Sequence, residues 1–305
     1  MTKQLETVVF FGNERLATGV TTTNPVLKTL LQTGYQVAAV VSNYQAAQSR
    51  KDRSLEIEAV AKDHGIPLLL PRQLLDIKNQ LKAYQAQAAV LVAYGRIVPQ
   101  EVIDIFPRGI INIHPSLLPK HRGSTPIESV MLAGEIQTGT SLMQLTKSMD
   151  RGPLYGQSII KLNGHETKQE LADKLLGLGT SMLREQLPSI LDGHLRPLPQ
   201  DDSRASYDSL ISKNDGMIDW NKPAVQLERE VRAYARWPGS RTILSGKEVI
   251  ITSTHVEAKS GRIGEQLVKN KQLLIFTGSD ALVIDRLKPV GKPEMSAQDF
   301  INGYL

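Results

Sequence analysis

The chain has 305 residues, 41% hydrophobic and 22% charged, an ordinary globular composition with length enough for about two domains. It contains no cysteine, which excludes a disulfide framework, thiolate metal sites and a cysteine nucleophile. Its net charge of +5 permits an anionic partner without requiring one.

The first half alternates strand and helix patterns. Thr7–Phe11 is a β-branched and aromatic run that stops at Gly12 and predicts a buried strand. Asn24 and Pro25 read as an N-cap followed by proline at the first helical position, with Gly34 as the stop. Val37–Val41 is the next strand. Ser54 is placed to cap a helix with an apolar stripe of Ile57, Val60 and Ala61, closed by Gly65. Further strands are expected at Ile66–Leu70, Ala88–Ala93, Gly109–Ile113 and Gly139–Leu145, and the nearly unbroken apolar runs among them suit parallel strands buried on both faces. This alternation predicts an α/β fold with a doubly wound, mostly parallel sheet.

Residues 167–191 predict a long helix. The stretch 193–206 has linker composition, with Pro197, Pro199, Asp201, Asp202 and Ser203. A helix from Pro223 to about Arg236 follows, with an apolar stripe of Leu227, Val231, Tyr234 and Ala235. Short strands around Thr242–Leu244, Glu248–Ser253, Gly264–Val268, Leu273–Thr277 and Ala281–Leu287 then predict a small C-terminal β-barrel. The expected domains are 1–192, a linker at 193–206, and 207–305. No run of roughly 18 apolar residues occurs, and Met1–Glu6 does not open a basic-then-apolar leader. A cytoplasmic protein without a membrane segment is expected.

Several chemistries lack their motif. The first strand is not followed by G-x-G-x-x-G, which argues against a nicotinamide dinucleotide. No Walker A sequence and no G-x-S-x-G elbow occurs. The six histidines form no H-x-x-x-H, and no acidic cluster completes a ligand set, so no metal is expected. The richest stretch is Gly109–Gly134. There Asn112 and His114 fall on one side of a strand at its carboxyl end, the edge at which open α/β sheets bind ligands. An amide and an imidazole two residues apart suit an oxyanion forming at a carbonyl under attack. The same pair can also serve merely to finish a strand. Asp150, in Met149–Pro153, offers a carboxylate to His114 or simply makes a turn before Gly152 and Pro153. The loop Tyr94, Gly95, Arg96, Ile97, Val98 opens at the same edge and can either bind a flat heterocycle or turn the chain. Arg50, Lys51 and Arg53 form a basic cluster, and Arg229, Arg232 and Arg236 share a helix face with Glu228 and Glu230. Both groups read either as phosphate contacts or as solvated, ion-paired surface.

Together these stretches resemble the methionyl-tRNA formyltransferase family over nearly the whole chain. The similarity is carried by Val90–Pro99 (VLVAYGRIVP), Ile110–Ile127 (IINIHPSLLPKHRGSTPI) and Met149–Gly152 in the first part, and by Ser212–Trp220 (SKNDGMIDW), Leu227–Ser240 (LEREVRAYARWPGS) and Lys292–Asp299 in the second. The resemblance implies transfer of a formyl group from 10-formyltetrahydrofolate to the α-amine of methionyl-initiator-tRNA through a tetrahedral oxyanion, without a metal. It implies Asn112, His114 and Asp150 as catalytic residues. It implies that Tyr94–Val98 together with Ser116, Leu117, Leu118 and Pro119 hold the folate, and that the basic residues meet the tRNA. A monomer is expected. The sequence departs from the family in a shorter loop at Asn43–Ser54, a longer connection around Thr21–Pro25, and His121 where an aromatic or other large residue is expected. A formyltransferase acting on an amino-sugar nucleotide, and an RNA-binding module with an inactive first domain, are the competing readings.

Overall fold

The computed structural model describes residues 6–43 and 55–305. They form two compact units: Met1–Pro126, Gln137–Leu162 and Gln169–Ser209 make the first, and Ile127–Ile136, Asn163–Lys168 and Leu210–Leu305 make the second.

The first unit is built on a seven-stranded sheet. In chain order its strands are β1 (Thr7–Gly12), β2 (Gln36–Val41), β3 (Leu68–Leu69), β4 (Ala88–Val92), β5 (Ile110–His114), β6 (Gln137–Gln144) and β7 (Leu154–Lys161). Their spatial order is β3-β2-β1-β4-β5-β6-β7. Strands β1 to β5 pair in parallel, as their apolar sequences require of strands covered on both faces. On one face Val9, Phe11, Leu91 and Ile110 share a core with Leu81, Val102 and Phe106, while the alternate residues Val8 and Phe10 are equally buried. The stretch expected at Gly139–Leu145 is β6, and it runs antiparallel to β5. Strand β7, which the sequence pattern did not reveal, continues the antiparallel edge.

The helices that follow the early strands are α1 (Pro25–Gln32) and α2 (Glu56–Asp63). Next come α3 (Lys78–Ala83), α4 (Gln100–Ile103) and α5 (Pro126–Ala133), and then the long α6 (Lys168–Leu191). One cap differs from expectation. Asn24 precedes α1 in a left-handed conformation and makes no side-chain cap; the carboxylate of Glu14 takes that part, accepting the N–H groups of Val26 and Leu27 at 2.9 Å each. Ser54, the residue expected to cap α2, lies outside the described residues; α2 starts after Leu55.

The chain reverses its winding between β1 and β4, so a crevice opens where those strands end. Gly12 makes the crossing possible. Its φ is +116°, and a Cβ there would lie 1.8 Å from the Val92 carbonyl oxygen.

The second unit carries α7 (Ala224–Ala233), then β8 (Ser240–Leu244), β9 (Lys247–Glu257), β10 (Gln266–Lys269), β11 (Gln272–Phe276), β12 (Ala281–Pro289), β13 (Met295–Ser296) and α8 (Ala297–Tyr304). The strands form an all-antiparallel sheet in the order β10-β11-β12-β9-β8, with β13 on β12. Leu227 and Val231 of α7 and Phe300 of α8 close its core with Val249, Ile251, Leu273 and Ile284. Helix α7 stops at Ala233, so Arg236 does not continue its face; it lies beyond the helix end with φ +67°.

Candidate active site at the carboxyl ends of the strands

A cavity of about 630 Å³ lies beyond the ends of β1, β4 and β5, within the first unit. That size suits a small organic ligand. Asn112, His114 and Asp150 all line it, and so does every residue of the Tyr94–Val98 loop. The two side chains on β5 reach the same space because period-two alternation turns both to one face. Asn112 and His114 are 6% and 5% exposed, so their polar groups work in a largely dry wall.

His114 is fixed through one ring nitrogen. Its Nε2 lies 2.9 Å from the main-chain oxygen of His121. A carbonyl can only accept, so Nε2 carries the proton and Nδ1 faces the reaction space. Nδ1 is 3.7 Å from Asp150 Oδ1, close enough for charge pairing but too long for a direct hydrogen bond. The other carboxylate oxygen of Asp150 accepts the Gly123 N–H at 2.9 Å.

The loop between these groups is tightly held. His121, with φ +57°, donates its N–H to Ser206 Oγ at 2.8 Å, and its ring Nδ1 lies 3.0 Å from Asp208. Arg122 is 1% exposed and bonds Gln200, Asp202 and Tyr207. Burial opposes its charge, but the hydrogen bonds it donates to Asp202 and Tyr207 more than offset this and hold the guanidinium above its ordinary range. Asp202 is pulled below the usual carboxylate range by Arg122 and Arg151. The stretch 193–206 therefore engages the site instead of running free: Leu198 also pairs with Leu154 through two main-chain bonds of 2.7 and 2.8 Å.

The remaining predicted residues divide. Ser116, Leu117, Leu118 and Pro119 lie off the cavity wall. Ser116 is fully buried and donates to the Lys120 carbonyl at 2.8 Å, while the Leu118 main chain is taken by Ser141 and Gln157. Ser116 and Leu118 turn inward to build the loop, while Leu117 and Pro119 stay partly exposed. Asn13, Arg15, Leu16, Ala17, Asn43 and Thr146–Met149 line the cavity in their place. Only their position after strand ends signalled them. Arg50, Lys51 and Arg53 lie outside the described residues. Arg232 is engaged with Glu228 and with the Glu166 carbonyl, Arg229 is half-buried against Gly134, and Arg236 is exposed. Among the described residues, no group of three or more His, Asp or Glu could hold a metal ion. No described helix is long and apolar enough to cross a membrane.

Residues 9–187 match the formyl transferase family, and residues 210–305 match the formyl transferase C-terminal domain. The chain belongs to the formyl transferase family. Methionyl-tRNA formyltransferase of Chloroflexus aurantiacus is 35% identical, covering 91% of this chain and 92% of its own length. The enzyme of the same name from Methylococcus capsulatus is 35% identical over 97% of this chain and 96% of its own. Among solved structures, the N-formyltransferase of Helicobacter canadensis, in complex with folinic acid and dTDP-3-aminofucose, shares the fold. It has a TM-score of 0.70 at 17% identity, covering 94% of this chain and all of that one. HypX from Aquifex aeolicus in complex with tetrahydrofolic acid also shares it, with a TM-score of 0.67 at 16% identity over 99% of this chain and 48% of its own. As a formyl transferase, this chain has its amide, imidazole and carboxylate at the carboxyl edge of the first unit's sheet.

Proposed function

We propose that the chain transfers a formyl group from 10-formyltetrahydrofolate to the α-amino group of methionyl-initiator-tRNA. The observation that carries this reading is the meeting of Asn112, His114 and Asp150 on one cavity wall, with the His114 ring oriented by a main-chain carbonyl. The match to methionyl-tRNA formyltransferases, 35% identical over more than nine-tenths of the chain, supports the acceptor. The cavity suits a flat donor: Leu91, Ile97, Val98 and Met149 give apolar wall beside the polar Asn112, His114 and Asp150.

The donor supplies the formyl carbon. The acceptor amine bonds to that carbon, and negative charge builds on the formyl oxygen. Asn112 donates to that oxygen through its side-chain N–H₂. His114 donates through Nδ1–H as imidazolium, Nε2–H being committed to His121. Asp150, 3.7 Å from Nδ1, supports that positive charge and takes the proton the amine gives up, directly or through one water. The bond from the formyl carbon to the donor nitrogen then breaks, and that nitrogen leaves with a proton. Most of the acceleration is assigned to positioning and to electrostatic stabilisation by groups already oriented. In this reading Arg229, Arg232 and Arg236 of the second unit, with Arg50, Lys51 and Arg53, contact the acceptor's phosphates. Their replacement by alanine would then raise the KM for tRNA and flatten its salt dependence.

The test is acceptor choice. With one enzyme and one donor, formyl transfer is measured to methionyl-initiator-tRNA and to an amino-sugar nucleotide. Turnover on the charged tRNA is expected. Turnover on the sugar nucleotide alone would transfer the chemistry to the competing acceptor, and no turnover on either would sink the enzyme reading.

A further inference from the structure

Gln200 occupies the stretch whose composition reads as a linker, yet both ends of its amide are spoken for. Nε2 donates to the Asp150 carbonyl at 2.8 Å and to the Gly152 carbonyl at 2.7 Å. Oε1 accepts from Arg122 Nε at 3.2 Å and Nη2 at 2.8 Å. Two donors and two lone pairs are all used, and only this orientation of the amide satisfies all four partners.

The two sides joined by this amide are the two sides of the site. Asp150 sits at φ +49°, a left-handed conformation that a non-glycine residue holds only when its surroundings over-determine it. Gln200 grips the carbonyls at both ends of that turn. On the other side Arg122 lies between His121, whose carbonyl fixes the His114 ring, and Gly123, whose N–H binds the Asp150 carboxylate. The main chain of Arg122 is itself clamped, its N–H to Ser206 O at 2.9 Å and its carbonyl by the Asp208 N–H at 2.8 Å. Its guanidinium is completed by Asp202 at 2.7 Å and Tyr207 at 2.8 Å.

We propose that Gln200, anchored on Arg122, is a positioning residue that sets the Asp150 carboxylate against His114. It touches neither substrate nor reacting atom. It acts by holding the strained Asp150 turn in register with the loop that orients the imidazole. This rests on the reading of Asp150 as a catalytic group.

The test uses the full chain in four forms: wild type, Gln200→Glu, Asp150→Asn and the double variant. Gln200→Glu keeps an acceptor for Arg122 and removes both donors to the Asp150 turn. Formyl transfer to methionyl-initiator-tRNA is measured, with kcat and both KM values. Gln200→Glu is expected to lower kcat roughly 10- to 30-fold with each KM within about 2-fold. In the Asp150→Asn background the same change should cost less than about 2-fold more, because the group it positions is already gone. Gln200→Met, which removes the donors without adding charge, gives the same pattern and serves if the glutamate variant does not fold. Near-wild-type kcat in both Gln200 variants, or an equal loss in the two Asp150 backgrounds, overturns the proposal while leaving the site reading intact. Near-normal activity of Asp150→Asn alone overturns the site reading and the proposal with it.

Discussion

On one side of the cavity His114 is held by the His121 carbonyl and Asp150 by the Gly123 N–H, and His121, Arg122 and the Asp150 turn are tied to Gln200, Ser206 and Asp208, all by hydrogen bonds of 2.7 to 3.2 Å. On the other side Ile97 leaves 76% of its surface in solvent, and the Arg96 guanidinium reaches the carbonyls of Pro71 and Arg72. The first wall is polar, buried and over-determined; the second is apolar at its tip and open. Chemistry that depends on where a charge develops needs groups that do not reorganise, whereas a surface that binds a flat ring needs area. The contrast assigns rate to one wall and affinity to the other.

The largest effects should come from the buried wall. His114→Ala or Asp150→Asn is expected to cut kcat by at least ~10²-fold while thermal unfolding shows a folded protein. Near-normal turnover in both would remove the division of labour between the walls.

At the start of α1, Glu14 should tie stability to pH. Burial raises its carboxyl to about 7, against the lowering effect of the Leu27 and Val26 N–H groups. The folded state therefore binds a proton that the unfolded chain has already lost, so stability falls as pH rises from about 4.5 to about 7 and levels off above. The full span corresponds to about 3 kcal/mol. Urea unfolding of wild type and Glu14→Gln across that range checks it: the variant should lose this part of the slope, and parallel profiles would contradict it.

Gly123→Ala tests the buried wall's loop without deleting a functional group. The position has φ +118°, and an added Cβ would meet the Asp208 carbonyl oxygen at 3.1 Å. A stability loss of about 2 kcal/mol is expected, with a fall in kcat larger than any change in KM. A smaller effect belongs to the open wall: Ile97→Ala should raise the KM for the folate donor by roughly 2- to 5-fold and leave kcat unchanged. A drop in kcat instead would mean that this wall also orients the reacting groups.

The sequence made the parallel core of the sheet legible because Ala88–Val92 is apolar throughout and Ile110, Ile111 and Ile113 carry the next strand, and buried parallel strands have few alternatives. Strand β7 escaped because its centre, Gly156, Gln157 and Ser158, has little strand character; its place is set by pairing with β6. Asn112, His114 and Asp150 could be proposed from spacing at strand ends. Ser116–Pro119 belongs to the same motif, yet nothing local states that the Ser116 hydroxyl turns back to the Lys120 carbonyl. The bracing role of Gln200 was invisible for a related reason. Its partners, Arg122, Asp150 and Gly152, lie 48 to 78 residues away and are mostly main-chain carbonyls, which leave no compositional trace. The Glu14 cap on α1 spans 12 and 13 residues in the same way, while Asn24 stood in the local position and made no cap.

In the proposed reaction the formyl group is delivered to the wall made by Asn112 and His114, on the Nδ1 side of the imidazole. A crystal structure of the chain with a stable formyl-folate analogue measures this directly. The account predicts the pteridine ring against the Tyr94–Val98 loop, and the formyl oxygen within about 3 to 3.5 Å of both the Asn112 amide and His114 Nδ1. A formyl group bound elsewhere, or a His114 ring turned so that Nδ1 meets the His121 carbonyl, would contradict it.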